Sequence, residues 1–377
     1  MNYALCTVNC AFNVPDFTSA LYLGLHHAHA DLRPWTQLTL GKPAALSPPP
    51  ESVAIADQLA RLIGCERATL GTSTLHLFWD VFGHLGRERI AIYVDAGTYP
   101  IARWGVERAL ARGALVRGFK HHDVQALQQA LRRDATGGRT PVVVTDGFCP
   151  GCGRHAPLNA YLDNVRACGG RLIIDDTQAL GIYGRSAHGR PYGFGGGGSL
   201  QWHAIDDDHV IVIGSLAKGF GVPLAVLAGS EAAIERFNQH SETRVHCSPP
   251  SMAMMRATEH ALNVNATHGD LLRDQLAQRV RFFRARLAEL ALSAEGGLFP
   301  VQTLRLRPAE AAIDVHERLR DFGIATVLHH AREGSGPRLS FILTARHRRG
   351  EIDRAMAALA SALAIQSTPG RLEAEHG

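Results

Sequence analysis

Short apolar runs alternate along the chain with longer stretches in which apolar residues follow a helical spacing. The short runs are typical of buried strands and fall at residues 90–94, 142–145, 171–174 and 210–213. The helical stretches fall at residues 102–111, 124–132 and 158–167. A further helix is predicted from Glu51, with Gly64 ending it. This alternation predicts a mostly parallel sheet covered by helices on both faces, in a fold of the α/β class.

The two ends of the chain depart from this pattern. Residues 1–50 are predicted to form an irregular N-terminal arm. This arm ends in three prolines, which cannot lie inside a helix. A large domain is expected over residues 51–265 and a smaller α+β domain over residues 266–377. A long helix at 251–290 would link the two. Strands and helices of the smaller domain are predicted at 303–306, 312–322, 338–343 and 351–364, before a loose tail from Gln366.

The composition is that of a globular protein, with 46% hydrophobic and 20% charged residues. A net charge of +4 is too small and too dispersed for a nucleic-acid-binding protein. No apolar run approaches the ~20 residues of a membrane span, and the first residues lack the features of a signal peptide. The chain has seven cysteines, which is an odd number, and it is long enough to fold without disulfides. We therefore expect a protein of the reducing cytoplasm.

Cys149 and Cys152 form a C-x-x-C pair, which can bind a metal or carry out redox chemistry. Metal sites of this kind usually have four ligands. The other close pair, Cys6 and Cys10, is distant in sequence and differently spaced. A loop that contains two thiols and no metal is therefore the favoured interpretation, with a metal or redox role as the alternative.

Two further features carry no predicted chemistry. The glycine-rich run at residues 193–198 lacks the G-x-G-x-x-G spacing of dinucleotide-binding loops and follows no predicted strand. A flexible surface loop is expected there. The chain has 20 histidines, and the cluster formed by His26, His27 and His29 is expected mostly at the surface.

Two predicted strands end on residues that suit cofactor chemistry. The strand at 171–174 delivers Asp175 to its carboxyl end, where open α/β sheets bind ligands. A carboxylate there can pair with the protonated ring nitrogen of pyridoxal 5'-phosphate (PLP), although a helix cap is the alternative role. Lys218 follows the strand at 210–213, and a buried lysine loses its proton easily, as Schiff-base chemistry requires. A solvent-facing lysine is the alternative.

Small and hydroxyl-bearing residues at 68–76 precede a predicted helix. Backbone N–H groups at such a helix start, with nearby hydroxyls, form a phosphate site. Ser215, three residues before Lys218, is placed to add a hydroxyl. In this chain order, the three features predict a PLP enzyme in which Lys218 carries the cofactor as a Schiff base.

The motifs also carry a family resemblance over most of the chain. They lie at residues 22–25, 119–123, 143–147, 156–158, 175–181, 218–221, 249–250, 338–339 and 343–345. In order and combination they resemble the α-oxoamine synthase family of fold-type-I PLP enzymes, especially its 8-amino-7-oxononanoate synthase-like branch. The resemblance implies the PLP transferase fold, with a mixed, mostly parallel sheet and a smaller C-terminal domain.

The resemblance assigns roles residue by residue. Lys218 would hold the cofactor and then remove the α-proton of the substrate, while Asp175 would pair with the pyridine nitrogen. Arg338 would bind the amino-acid carboxylate, a bidentate role that suits guanidinium. The segment from His246 to Ser248 matches one that reaches the phosphate of a neighbouring subunit, which implies a homodimer with shared active sites. The other positions implied for cofactor binding are Ser73, Thr74, Leu75 through its backbone, Asp146 and Ser215.

Two positions beside the cofactor depart from the pattern of the family. Tyr99 stands where the family stacks a histidine on the PLP ring, and a tyrosine can stack but cannot act as an imidazolium. Gln178 stands where a histidine lies beside the phenolic oxygen of the cofactor, and its amide can still donate to that oxygen. The loop at 150–153 and the glycine insertion before Lys218 also differ. These changes fall where substrate identity would be set, so the cofactor is implied more directly than the reaction.

The implied reaction is a condensation. An amino acid would react with an acyl thioester, carried by CoA or by acyl-carrier protein, and lose CO2 to give an α-amino ketone. Transamination, or another PLP reaction at Cα in secondary metabolism, is the alternative that Tyr99 and Gln178 suggest. A non-catalytic subunit of the same fold is a third interpretation, which the presence of both Lys218 and Asp175 disfavours. No nucleic acid, metal or membrane is expected as a partner.

Overall fold

The computed structural model of the chain describes residues 14–306, 308–309, 311–329 and 336–366. Cys6, Cys10 and the tail beyond residue 366 lie outside these described residues. Contacts divide the described chain into two compact units. The larger unit comprises residues 20–278 and 344–346, and the smaller unit comprises the rest. The domain limits at residues 50 and 265 stay predictions.

The strands of the described chain are short and mostly apolar. In chain order they are β1 (Arg67–Gly71), β2 (Ile90–Asp95), β3 (Leu115–Phe119), β4 (Thr140–Asp146), β5 (Phe148–Cys149), β6 (Arg154–His155), β7 (Arg171–Asp175), β8 (Arg185–Ala187), β9 (Arg190–Phe194), β10 (Val210–Ser215), β11 (Ala225–Gly229), β12 (Ala294–Glu295), β13 (Val301–Leu304), β14 (Val327–His329) and β15 (Arg338–Ile342).

The helices alternate with these strands. In chain order they are α1 (Ser52–Ile63), α2 (Thr74–Leu85), α3 (Pro100–Leu110), α4 (Val124–Asp134), α5 (Leu158–Arg166), α6 (Ser199–His203), α7 (Glu231–His240), α8 (Glu242–His246), α9 (Met252–Glu289), α10 (Ala311–Asp321) and α11 (Arg349–Gln366). In the described ranges, none of them combines the length and the apolar character needed to cross a membrane.

The main sheet of the larger unit has the strand order β1-β11-β10-β7-β4-β2-β3. Strand β11 runs antiparallel to both of its neighbours, whereas the strands from β10 to β3 are parallel to one another. This mixed, mostly parallel sheet flanked by helices confirms the predicted α/β fold. The edge strands β1 and β3 were not predicted, because each is partly exposed and carries an arginine, so neither forms a continuous apolar run.

The predicted central strands are apolar along their length because they are buried on both faces. Strands β4, β7 and β10 are buried at nearly every position. Helices α2 and α3 pack together on the sheet in one core cluster that includes Phe78, Phe82 and Val106. Gly105 permits this approach, since a Cβ there would lie 2.7 Å from a ring carbon of Phe82 and 2.9 Å from the carbonyl oxygen of Phe78.

The glycine-rich run at residues 193–198 is not the flexible surface loop that the sequence predicted. It leaves strand β9, which pairs with β8, and its last three glycines are buried. The N–H of Gly181 donates to the carbonyl of Gly196 at 2.8 Å. Gly198 has a φ of 85°, and a Cβ there would lie 1.9 Å from Oδ2 of Asp176. The glycines therefore let the backbone pass directly against the end of β7, a contact that local spacing does not reveal.

The smaller unit has the α+β character predicted for the C-terminal region. Its antiparallel sheet has the order β12-β13-β15-β14, and helices α10 and α11 belong to the same unit. Phe283, Phe341 and Leu359 are buried in its core, and the rings of the two phenylalanines lie 5.2 Å apart. Strand β14 was not predicted, because it has three residues and is partly exposed.

We expect Gly105→Ala to lower the free energy of unfolding by about 1–3 kcal/mol, because overpacking against α2 outweighs the gain of about 1 kcal/mol in helix propensity. Gly350 in α11 is the matched control, since nothing lies within 4 Å of a Cβ placed there. Gly350→Ala is expected to be neutral or stabilising by up to about 1 kcal/mol. Urea denaturation followed by circular dichroism compares the two variants. A Gly105→Ala protein as stable as the parent would show that α2 and α3 can separate without cost.

Candidate active site

Lys218 lies in the turn that follows β10, at the carboxyl edge of the main sheet. Its side chain is half-buried, and burial lowers the pKa of its ammonium, while the nearby charges of Asp175 and Asp146 act in the opposite direction. A lysine held in this way deprotonates more easily than a free one. The half-buried position disfavours the surface-lysine alternative, and the cofactor role of Lys218 stays a prediction.

The glycines around Lys218 are required by a close approach of two turns. A Cβ on Gly219 would lie 2.6 Å from the carbonyl oxygen of Leu180 and 3.0 Å from Cα of Gly181. The turn that carries Lys218 thus packs backbone to backbone on the turn that follows Asp175. This contact explains why small residues flank the lysine, and it holds the amine near the end of β7.

Asp175 and Asp146 end neighbouring parallel strands and are direct partners in their register. Burial raises the pKa of both carboxyl groups, and the charge of Asp175 raises the pKa of Asp146 further. Lys218 lowers both pKa values, but one ammonium faces two carboxyl groups. Two carboxyl groups therefore share one ammonium, and a further cationic group such as a protonated pyridine nitrogen would favour their ionised forms.

Hydrogen bonds hold the end of β7 against the end of β10. The N–H of Thr177 donates to Oδ1 of Asp175 at 3.0 Å. The N–H of Ser215 donates to the hydroxyl of Thr177 at 3.1 Å. Asp175 is 5% exposed, so these contacts orient a carboxylate that has little access to water. No helix of the described chain begins directly after Asp175, so it is not a helix cap, and its role toward a ring nitrogen stays a prediction.

Tyr99 lies beside Lys218, at the start of α3. Its ring is half exposed, and its centroid is 6.0 Å from Nζ of Lys218. Its N–H donates to Oδ1 of Asp146 at 3.0 Å, which connects the tyrosine to the carboxylate pair. A planar group held by the lysine would lie beside this ring, and the stacking role of Tyr99 stays a prediction.

Gln178 has a partner that the sequence did not indicate. The hydroxyl of Tyr22, which is buried, donates to Oε1 of Gln178 at 2.8 Å. Since the amide oxygen is engaged, the NH2 group is the part of Gln178 that can donate to a phenolic oxygen. Tyr22 lies in the predicted irregular arm. The one sequence signal for a role of Tyr22 at the site was its position at the start of the motifs that carry the family resemblance.

The predicted phosphate residues lie at the N-terminus of α2. Ser73 caps this helix by accepting from the N–H of His76 at 3.4 Å, and Thr74 and Leu75 occupy its first turn. The first N–H groups of a helix lack partners within the helix and favour an anion. The sequence missed His76, whose ring nitrogen Nδ1 is 2.7 Å from Oγ of Ser73.

The strand register brings Ser215 to the same end of the sheet as this helix start. Gly71, which ends β1, and Ser215, which ends β10, both pair with Ala225 from opposite sides of β11. Two strand spacings, about 10 Å, therefore separate their backbones. A phosphate contact shared by hydroxyl groups from both sides of this gap stays a prediction.

Two predicted site residues are not tested by these contacts. His246 ends α8 and is exposed, and its proposed contact lies with a second subunit. Arg338 begins β15 in the smaller unit and forms an ion pair with Glu295. Both roles stay predictions.

The sequence matches the family model for aminotransferase class I and II over residues 14–359. The chain belongs to this family. The 8-amino-7-oxononanoate synthase of Alkalilimnicola ehrlichii is 31% identical over 261 residues, which are 68% of this chain and 64% of that protein. The crystal structure of 8-amino-7-oxononanoate synthase from Francisella tularensis has a TM-score of 0.73 at 20% identity, covering 94% of this chain and 99% of that one. The serine palmitoyltransferase of Sphingomonas wittichii has a TM-score of 0.82 at 17% identity, covering 94% and 89%.

The 8-amino-7-oxononanoate synthase of Thioalkalivibrio sulfidiphilus is 30% identical over 79% of this chain and 69% of that protein, which confirms the predicted α-oxoamine synthase family. The solved structures agree with the PLP fold of type I. The cofactor of this family is PLP, and the protein is a PLP-dependent enzyme of the transferase class. The described residues fit PLP, because they offer a lysine of lowered pKa, a buried carboxyl group beside it, an aromatic ring and a helix start bearing hydroxyls. When bound, the cofactor withdraws electrons from the Cα of an attached amino acid.

Lysine is rare in this chain, which makes the cofactor lysine easy to test. The sequence has three lysines, and Lys42 and Lys120 are exposed. We expect borohydride reduction of the PLP-loaded protein to attach a pyridoxyl group to Lys218 and to leave the other two unmodified, because only Lys218 combines a lowered pKa with a phosphate site. Peptide mass spectrometry locates the group. Labelling of Lys42 or Lys120 to the same extent would contradict the assignment.

Proposed function

We propose that the protein condenses an amino acid with an acyl thioester and releases CO2, giving an α-amino ketone. The observation that carries the proposal is the position of Lys218 at the carboxyl edge of the sheet beside Asp175 and Asp146, where burial lowers the pKa of its ammonium and favours an amine that can act as a base. The similarity to 8-amino-7-oxononanoate synthases, whose name describes the formation of an amino ketone, supports this reaction class.

In the proposed reaction, a C–C bond forms between Cα of the amino acid and the acyl carbonyl carbon, and the C–S bond of the thioester breaks to release a thiol. The bond from Cα to the carboxylate then breaks, CO2 leaves, and a proton replaces it on Cα. Lys218, once displaced by the incoming amino group, takes the first α-proton at Nζ and can return a proton to the product.

The surrounding residues would prepare this chemistry. Asp175 would remain ionised and keep the ring nitrogen of the cofactor protonated, while the amide of Gln178 donates to the phenolic oxygen. Tyr99 would cover one face of the ring and exclude water from it. Ser73, Ser215 and the first turn of α2 would bind the phosphate.

Arg338 is proposed to bind the carboxylate of the amino acid. Its guanidinium can form two parallel hydrogen bonds with a carboxylate. In the described structure it pairs with Glu295, which also faces Arg305 with a separation of 3.5 Å. The substrate carboxylate would share Arg338 with Glu295 or displace it.

We further propose a homodimer in the cytoplasm, with His246 reaching the phosphate of the partner subunit. Support comes from the exposed position of His246 and from the cysteines of the described chain, all of which are free. The acyl donor is proposed to be an acyl-CoA or an acyl-carrier protein. Both donors present the same thioester carbon, so the residues described above serve either.

Transamination is a second candidate, favoured by one observation. Tyr99 and Gln178 leave no histidine at the two positions beside the cofactor ring, so the site lacks the imidazolium that the family would place near a substrate carboxylate.

Thiol release distinguishes the two candidates. We expect the PLP-loaded protein to release thiol and CO2 only when an amino acid and an acyl thioester are both present, with an amino ketone detected by mass spectrometry. Screening amino acids and donors of different chain length identifies the pair. Lys218→Ala is the control and should release neither product. If an amino acid alone is converted to its keto acid with loss of the visible cofactor absorbance, the protein is an aminotransferase.

Substitution of Arg338 tests the carboxylate site. We expect Arg338→Gln to lower kcat/KM for the amino acid about 10- to 100-fold, mainly through KM, because a charged hydrogen bond contributes about 1.5–3 kcal/mol. Arg305→Gln is the matched control, since Arg305 also faces Glu295 but is exposed and has no proposed contact with substrate. Steady-state kinetics of the two variants decide the role. Equal effects in both variants would mean that Arg338 acts through Glu295 and not on the substrate.

A further inference from the structure

Two loops far apart in sequence bring three metal-binding side chains together. His121 and His122 lie in the turn after β3, and Cys152 lies in the turn between β5 and β6. One ligand atom from each lies within 4.8 Å of the other two. Nε2 of His121 is 3.4 Å from Sγ of Cys152. A tetrahedral zinc ion, with its usual bond lengths to nitrogen and sulfur, separates these two atoms by about 3.5 Å.

His121 is already oriented as a metal ligand. Its Nδ1 donates to Oδ1 of Asp95 at 2.6 Å, and Asp95 is fully buried. The carboxylate is itself fixed, because it accepts from the N–H of Gly97 at 2.7 Å and from the hydroxyl of Tyr161 at 3.1 Å. In the neutral ring, a carboxylate that accepts the N–H of Nδ1 leaves Nε2 with the lone pair that binds a metal, and here Nε2 faces Cys152.

His122 supplies an independent observation. Its Nε2 is buried and has no hydrogen-bond partner among the described residues, although the ring lies beside the Cys152 sulfur. Its backbone has a φ of 56°, which is uncommon for a residue other than glycine. The N–H of His122 donates to Oδ2 of Asp95 at 2.9 Å, so the same carboxylate orients both histidines. A buried imidazole nitrogen without a hydrogen-bond partner is energetically unfavourable, and a bound ligand would satisfy it.

We propose that His121, His122 and Cys152 bind one zinc ion, with an external ligand such as water in the fourth position. Imidazole and thiolate together favour zinc over hard cations such as magnesium, which prefer oxygen. Cys149 precedes Cys152 by three residues and its thiol contacts that of Cys152, but it lies outside the group of three mutually close ligands. The sequence favoured a loop without metal here, because it showed the thiols but not the histidines across from them.

The ion would stabilise the loop that carries Tyr99. A Cβ on Gly97 would lie 2.3 Å from Nδ1 of His121, so the histidine packs directly beneath this loop. Zinc would tie the turn after β3 to the turn between β5 and β6 on either side of it. Zinc would bind here whichever reaction the protein catalyses.

The test uses the full-length, tag-free protein loaded with PLP, incubated with zinc sulfate and passed through gel filtration. We expect about one zinc per chain by mass spectrometry of the metal, and tetrahedral d–d absorbance when cobalt replaces zinc. His122→Asn and Cys152→Ser should lower zinc affinity at least tenfold in competition with a chromogenic chelator. Cys149→Ser and His26→Asn should bind as the parent does. The melting temperature and cofactor absorbance of each variant verify that it is folded.

Alkylation separates a zinc site from a bare cysteine–histidine pair. Zinc should slow the reaction of iodoacetamide with Cys152 while leaving the exposed Cys168 unaffected. The proposal is overturned if the parent retains less than a tenth of an equivalent, if folded His122→Asn and Cys152→Ser proteins bind as tightly as the parent, or if zinc does not protect Cys152. Loss of zinc in Cys149→Ser alone would refute the three-ligand assignment.

Discussion

Two carboxylates side by side at the edge of the main sheet determine the chemistry of this protein. Asp146 and Asp175 end adjacent parallel strands in direct register, and burial raises the pKa of both. Lys218 faces both of them with a single charge. A cationic ring bound beside them would favour the ionised carboxylates. The register of two strands therefore creates the place where the ring nitrogen of PLP is predicted to bind.

This edge can be built because glycines let several turns meet without side chains between them. Gly219 contacts Gly181 beside the lysine, and Gly198 passes against the carboxylate of Asp176. Asp176 is buried, and burial raises its pKa to about 7, while the N–H of Ser199 donates to it at 2.9 Å. The glycine-rich run is thus part of the support of the cofactor edge and is not a solvent-facing loop.

The groups beside the cofactor ring are neutral in this chain. Tyr99 and Gln178 replace the two histidines of the family pattern, and Gln178 is oriented by the buried hydroxyl of Tyr22. The histidines that the structure does place nearby, His121 and His122, lie behind the Tyr99 loop. The family resemblance therefore establishes PLP more directly than it establishes the reaction.

The sequence alone determined the parallel central strands and indicated Lys218 as the proposed cofactor lysine, but it did not predict the buried antiparallel strand β11. Strands buried on both faces leave continuous apolar runs, and the residues that end them, Asp175 and Lys218, follow in a fixed order. The partly exposed edge strands β1 and β3 leave no such pattern, and they became visible only through their pairing. Tertiary structure alone decided which distant residues meet: Tyr22 with Gln178, Gly198 with Asp176, and His121 with Cys152. The local spacing of apolar and polar residues specifies how each segment folds. It does not show which loops the sheet brings together at one edge.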